Sequence, residues 1–203
     1  MAEIRRGDLI IALIGTGVAP RLRGLDLSDL DMSGLDLNGA NLSGANLSGA
    51  DLSVADLSMA DLSAADLVGA RLIGANLIGA SLYITNLSGA ELSWADLMGA
   101  YLVGTNLRGV NLYESDLRAA NLRESDLRGA NLYAANLGVT DLTRADLRGA
   151  TLHRVDLSDA DLSEADLAGA DLREAYLVGA TITPDQLAVV KSLEGAELPD
   201  GLD

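Results

Sequence analysis

The side chains able to do chemistry are few and regularly spaced. The chain has one histidine, His153, and no cysteine. A hydrolytic triad would have to be built around His153, and no nucleophile motif accompanies it. The lack of cysteine removes disulfides, thiolate metal sites and thiol nucleophiles. The many glycines recur every five residues and never in a strand–loop–helix context, so there is no Walker loop or dinucleotide fingerprint. Aspartates recur at the same interval, as stacked calcium ligands would. The Gly-rich nonapeptide pattern of calcium-binding solenoids is missing, however, and Asn and Arg interrupt the series. No catalytic residue, cofactor or metal is expected.

Recognition chemistry remains, and it falls at intervals of twenty. Tyr113, Tyr133 and His153 form one such series, and Arg108, Arg128 and Arg148 another. Ile73, Ile78, Trp94 and Met98 form a moderately apolar group. These ten residues are the expected partner-binding surface. Asp56, Asp96, Asp116 and Asp156, in a third series shared with Asn76 and Asn136, are the expected acidic face. Stacked arginines repel one another, so they should lean toward the carboxylates of Asp126, Asp146 and Asp166.

A period of five underlies these intervals. Every fifth residue from Leu22 to Leu187 is leucine, save Met32 and Ile182. The residue two before it is usually alanine from Ala40 to Ala180, replaced by Thr85, Thr105, Val110, Ser115, Ser125, Thr140 and Val155. The residue just before it is mostly Asp or Asn, and the second after it is often Gly. Five matches neither a helix nor a strand. Two apolar positions in five must point inward, and the Gly suits the third residue of a type II turn, where φ is positive. Each pentapeptide is therefore a short extended piece plus a corner. Four corners close a square coil of 20 residues, and coils stack at about 4.8 Å, giving about eight coils. The Gly49–Gly169 column should carry type II turns throughout. The Val54, Gly74, Trp94, Glu114, Ala134, Arg154, Glu174 column should depart from them in places, because bulky residues resist positive φ.

The repeat resembles that of the pentapeptide-repeat family, whose motif is A(D/N)LXX, over about Leu22 to Ile182. The resemblance implies an all-β fold, a right-handed quadrilateral parallel β-helix with leucine as the central inward residue. Most members of that family have no assigned biochemical role, and without a catalytic constellation the chain is expected to be non-enzymatic.

The two ends should be capped. Residues 1–21 are read as an N-terminal cap around the apolar segment Leu9–Ala19, residues 22–183 as the β-helix, and residues 184–203 as a C-terminal helix and tail. Leu9–Ala19 has the length of a signal-peptide core, but Glu3, Asp8 and Pro20 fit that anatomy poorly. Leu25, Leu30 and Leu35 occupy positions that are later alanine, so they need a wider first coil or contact with the cap. Thr183-Pro184-Asp185-Gln186 starts a helix with a capping box, and Gly195 should end it. Leu187, Val190 and Leu193 should face the last coil, with Val189 off that stripe. These four residues could also join two copies end to end. Some quinolone-resistance relatives are described as dimerising in that way, so a monomer and an end-to-end homodimer are both expected states.

The net charge is −16, from 14 Lys+Arg against 30 Asp+Glu. That argues against direct binding to nucleic acid or anionic lipid and favours basic partners. No apolar run has membrane-spanning length. The leading reading is a scaffold or protein-binding rod of the bacterial cytoplasm, its partner unnamed by the sequence. The alternative comes from the resemblance. In the quinolone-resistance branch an acidic rod is understood to mimic duplex DNA and bind DNA gyrase. This chain lacks the central Phe and the coil-interrupting loops common in that branch, and it carries several arginines in its C-terminal half.

Overall fold

The structure is a computed structural model that describes Gly7 and residues 21–202. The expected N-terminal cap, with its apolar segment Leu9–Ala19, lies outside the described residues. From Arg21 onward the chain winds into coils joined by parallel bridges between residues 20 apart, as in Asn41↔Asp61 and Asp61↔Ser81. The register holds without interruption to Asp161↔Thr181. The central leucines and the alanines two before them fill the interior, nearly all of them fully buried.

One pentapeptide, Ala60 to Ala64, shows why the repeat is five residues long. Its five backbone N–H groups all find acceptors. Ala60 donates within its own turn to Leu57 O (3.0 Å), and Asp61 to Ala40 O of the preceding coil (2.8 Å). Leu62 and Ala64 donate to Ser81 O (2.8 Å) and Tyr83 O (2.9 Å) of the following coil. The fifth, Ser63 N–H, donates to Asp61 Oδ1 at 3.0 Å. The Asp or Asn before each leucine is thus a backbone acceptor that closes an Asx-type turn. A buried backbone donor left without a partner would be costly, and the motif leaves none here.

The corners overturn one expectation. Every fifth residue from Gly24 to Gly179 has positive φ, including Val54 (53°), Ile84 (49°), Trp94 (59°) and Val139 (59°), while the residue before it does not. The type II pattern therefore runs along all four corners, not only the glycine column. Hydrogen bonding between coils explains this. The central peptide of each turn donates its N–H to the next coil's central carbonyl, as Val54 N does to Ile73 O (2.9 Å) and Trp94 N to Tyr113 O (2.9 Å). A type I turn would flip that peptide and break the ladder on both sides. The stack fixes the turn type, and the bulky residue accepts the strain.

The C-terminal end departs from expectation too. The helix is short, Pro184–Ala188, with the expected capping box between Thr183 and Gln186. The chain then rejoins the solenoid one residue out of phase, through the bridges Asp171↔Ser192 and Tyr176↔Glu197. Gly195 is not a helix terminus but another left-handed corner, with φ 73°. Gln186 completes the closure by donating its side-chain amide to Leu162 O (2.7 Å) and Ala165 O (2.9 Å). Those carbonyls face the side where another coil would otherwise lie. Leu187 is buried, Val190 and Leu193 pack partly against the core, and Val189 is exposed. Near the other end, Leu30 and Leu35 pack partly against the core while Leu25 is exposed. No helix among the described residues is long and apolar enough to cross a membrane.

Candidate interaction surface

The 20-residue register turns distant residues into vertical neighbours, and one corner gathers most of the aromatic side chains expected to act. Tyr113 and Tyr133 stack with ring centroids 5.5 Å apart and planes 7° from parallel. His153 continues the series edge-on to Tyr133 at 5.1 Å. Trp94 joins from the other side, edge-on to Tyr113 at 5.8 Å. Two series that look separate in the sequence are therefore one aromatic edge crossing four coils.

Charged residues border this edge. Trp94 Nε1 donates to Glu114 Oε2 at 3.1 Å. The neighbouring Glu114 carboxylate pushes the Tyr113 phenol above its ordinary pKa. Arg154 donates to Tyr133 Oη at 3.1 Å and to Glu174 Oε2 at 2.7 Å. His153 Nε2 lies 3.4 Å from Glu174 Oε1, enclosed and without a hydrogen bond. Glu114, Arg154 and Glu174 join this surface beyond the ten expected residues, and the same 20-residue columns contain them.

The apolar group expected around Trp94 is split between corners. Ile73 lies on the Trp94 corner, next to Gly74. Ile78 and Met98 stack on the adjacent corner, where the exposed Met59 side chain lies over Gly79. A second exposed aromatic pair, Tyr83 and Tyr101, has centroids 6.1 Å apart and sits beside the exposed Ile84. None of these three was singled out in the sequence reading.

The arginines lean toward the carboxylates. Arg128 and Arg148 each make a fork to the aspartate two residues before, with Arg148 Nε and Nη2 at 2.8 and 2.6 Å from Asp146. Each also reaches the aspartate one coil on, Asp146 and Asp166, at 3.4 Å. Carboxylates and guanidinium groups thus alternate along the rod, and the arginine hydrogen bonds hold Asp126 and Asp146 below the usual carboxylate range. Arg108, whose own repeat carries Asn106 in place of Asp, makes no ion pair among the described residues.

The expected acidic face is a single column, Asp56, Asn76, Asp96, Asp116, Asn136, Asp156. Each of its carboxylates accepts a local backbone N–H, and among them Asp116 pairs with a cation. Asp56, Asp96, Asp116 and Asp156 accept backbone N–H groups from Ser58, Met98, Arg118 and Ser158. Asn76 donates its amide to Asp56 at 3.1 Å, and Arg118 forks onto Asp116.

The pentapeptide-repeat family model matches in eight copies that together run from residue 21 to residue 183, the span of the coils. The chain belongs to the pentapeptide-repeat family. The fold is accordingly a right-handed β-helix solenoid, and members of this family are generally structural and non-catalytic. Among solved pentapeptide-repeat structures, the chain is similar to HetL of the cyanobacterium Nostoc sp. strain PCC 7120, which is involved in heterocyst differentiation regulation. The two share 30% identity over 98% of this chain and 99% of that one, with a TM-score of 0.42. QnrB1, a plasmid-mediated fluoroquinolone resistance protein, matches at 20% identity over 91% of this chain and 93% of that one, TM-score 0.36. Rfr23 of the cyanobacterium Cyanothece 51142 matches at 22% identity over 86% and 99%, TM-score 0.38. A search of curated protein sequences returns no match.

Proposed function

We propose that this pentapeptide-repeat protein is a non-enzymatic rod that serves as a scaffold or binding platform for a protein partner. The contact would be made through the corner that runs from Trp94 to His153. One observation carries the reading. Trp94 is 57% exposed, held in a strained left-handed conformation, and placed at the head of a rigid aromatic edge. It adds little to the core, while flat, rigid aromatic area is what protein partners use as anchors. His153 supports the same view, because it extends the run of rings on this corner. In this reading residues 1–21 cap one end. The C-terminal surface around Leu187, Val190 and Leu193, with Val189 exposed beside it, closes the other end or meets a second copy.

Affinity capture with the full chain tests it. A partner should be retained by the wild type and by an Arg108/Arg128/Arg148 triple alanine variant, and lost with Trp94→Ala. Retention by Trp94→Ala, with loss in the arginine variant, would refute the placement.

The net charge of −16 favours a second reading, mimicry of DNA toward gyrase. The pairing of Asp116 with Arg118 and the alternating Arg128–Asp146–Arg148 ladder weigh against it. Inhibition of gyrase supercoiling, or protection from quinolones, at micromolar protein would support mimicry over the rod.

A further inference from the structure

Between Glu91 and Glu174 the glutamates fall into two groups. Glu124 and Glu164 flank Arg144, whose Nε donates to Glu164 at 2.8 Å and whose Nη1 lies 3.7 Å from Glu124. Glu174 takes Arg154. Glu91 and Glu114, by contrast, have no cationic partner among the described residues. Glu114 touches Trp94, and Glu91 lies in the same repeat, its carboxylate accepting from Asn111 at 2.9 Å. Glu91 is three residues before Trp94 in the same coil, and Glu114 is directly above it in the next coil, holding the indole N–H.

The Trp94 side chain is more than half exposed, it meets Tyr113 at a near-perpendicular 86°, and the column position beneath it is Gly74, which has no side chain. Tyr113 and Tyr133 each turn one face to the other. The surface offers an exposed indole near two carboxylates that make no ion pair, although Arg71 lies one coil below Glu91, leaning toward Asp51 at 3.7 Å. An indole face attracts a cation through its quadrupole, and carboxylates beside it add charge attraction. Among cationic side chains, the guanidinium group fits best, because it is planar enough to stack and forked enough to reach a carboxylate at its edge.

We propose that Trp94, Glu91 and Glu114 form a docking site for an arginine side chain on a basic, extended segment of a protein partner. This rests on the reading of the rod as a protein-binding platform and specifies the partner's chemistry.

Trp94 is the only tryptophan in the chain, so its fluorescence reports the site directly. The probe is a tetra-arginine peptide, with a tetra-citrulline peptide as its neutral isostere. The arginine peptide should change Trp94 emission saturably below about 1 mM at low salt, and the change should weaken as salt rises. The citrulline peptide should leave the emission unchanged. A Glu91→Gln/Glu114→Gln variant, shown by thermal melting to be folded, should bind about tenfold more weakly. A Glu197→Gln/Asp200→Asn variant loses the same charge at the exposed C-terminal end and should bind within about twofold of wild type. The absence of a saturable change would overturn the proposal, and so would equal weakening in both variants, which marks general attraction to an acidic rod. If the peptide fails while Trp94→Ala still loses a captured partner, the platform reading survives and the arginine chemistry does not.

Discussion

Replacing the exposed β-branched corner residues by glycine should stabilise the rod. Val54, Ile84 and Val139 have φ of 53°, 49° and 59° and are 68%, 52% and 65% exposed. A left-handed conformation costs such a residue about 2 kcal/mol, which glycine removes. Glycine's greater freedom in the unfolded chain takes back about 0.7 kcal/mol per site. A side chain that is only about a third to a half buried forfeits another ~0.8 kcal/mol of apolar contact. The net gain is about 0.5 kcal/mol per site. The three sites lie on different corners, so the gains should add to about 1.5 kcal/mol in a Val54→Gly/Ile84→Gly/Val139→Gly variant. For a chain of this size that raises the melting midpoint by roughly 3–6 °C in a calorimetric or circular-dichroism scan. An unchanged or lower midpoint would refute the reasoning, because it would mean that these side chains are not strained or that their contacts outweigh the strain.

Three further outcomes are expected. Thr105→Val should cost only about 0.5–1.5 kcal/mol in urea denaturation. The buried hydroxyl donates to Leu82 O at 2.6 Å, but that carbonyl keeps its bond from Thr85 N–H, and a loss above about 3 kcal/mol would contradict this. Gln186→Ala should destabilise by about 1–3 kcal/mol by leaving Ala165 O without its amide donor. Hydrogen exchange should show the change concentrated in the coils nearest the C-terminal end. Asp171, its side chain 8% exposed, is held down to about 2 by hydrogen bonds from Arg173. A depressed carboxyl stabilises above its unfolded pKa and loses that contribution as pH falls, here from about 4 toward 2. Asp171→Asn should therefore narrow the stability difference between pH 6 and pH 2.5 by about 1–2 kcal/mol, the pair being partly screened by solvent.

The inward leucines, the 20-residue coil and the lean of Arg128 and Arg148 were all legible in the chain, because each follows from one uninterrupted period. The conformation of Val54 and Trp94 was not, because single-residue preference points away from positive φ. What decides it is a hydrogen bond to a peptide about twenty residues on. The C-terminal end was misread for a different reason. Leu187, Val190 and Leu193 fit a helical stripe, but Leu193 and Leu198 also resume the period of five after a slip of one residue, and Gly195 fits its corner position. The join between Trp94 and Tyr113 was within reach, since 113 is 94 plus one coil less one residue. It requires side chains to be compared across a corner as well as down a column. Glu91 and Glu114 stand out only against Glu124, Glu164 and Glu174, which pair with arginine, a contrast that needs the contacts of every column.

The uniform bridge spacing has a kinetic consequence. Parallel β-structure is ordinarily slow to form, because its partners lie far apart along the chain. Here the bridges join residues 20 apart in a chain of 203. The relative contact order is then about 0.1, a value more typical of helical bundles than of sheets. Any pair of adjacent coils can act as a nucleus, and each further coil closes a loop of the same short length however long the rod becomes. The central peptides also hand their orientation from one turn to the next. A growing end therefore copies a conformation that is already set, and assembly should proceed as a zipper in which even a valine or tryptophan takes its corner from its neighbour.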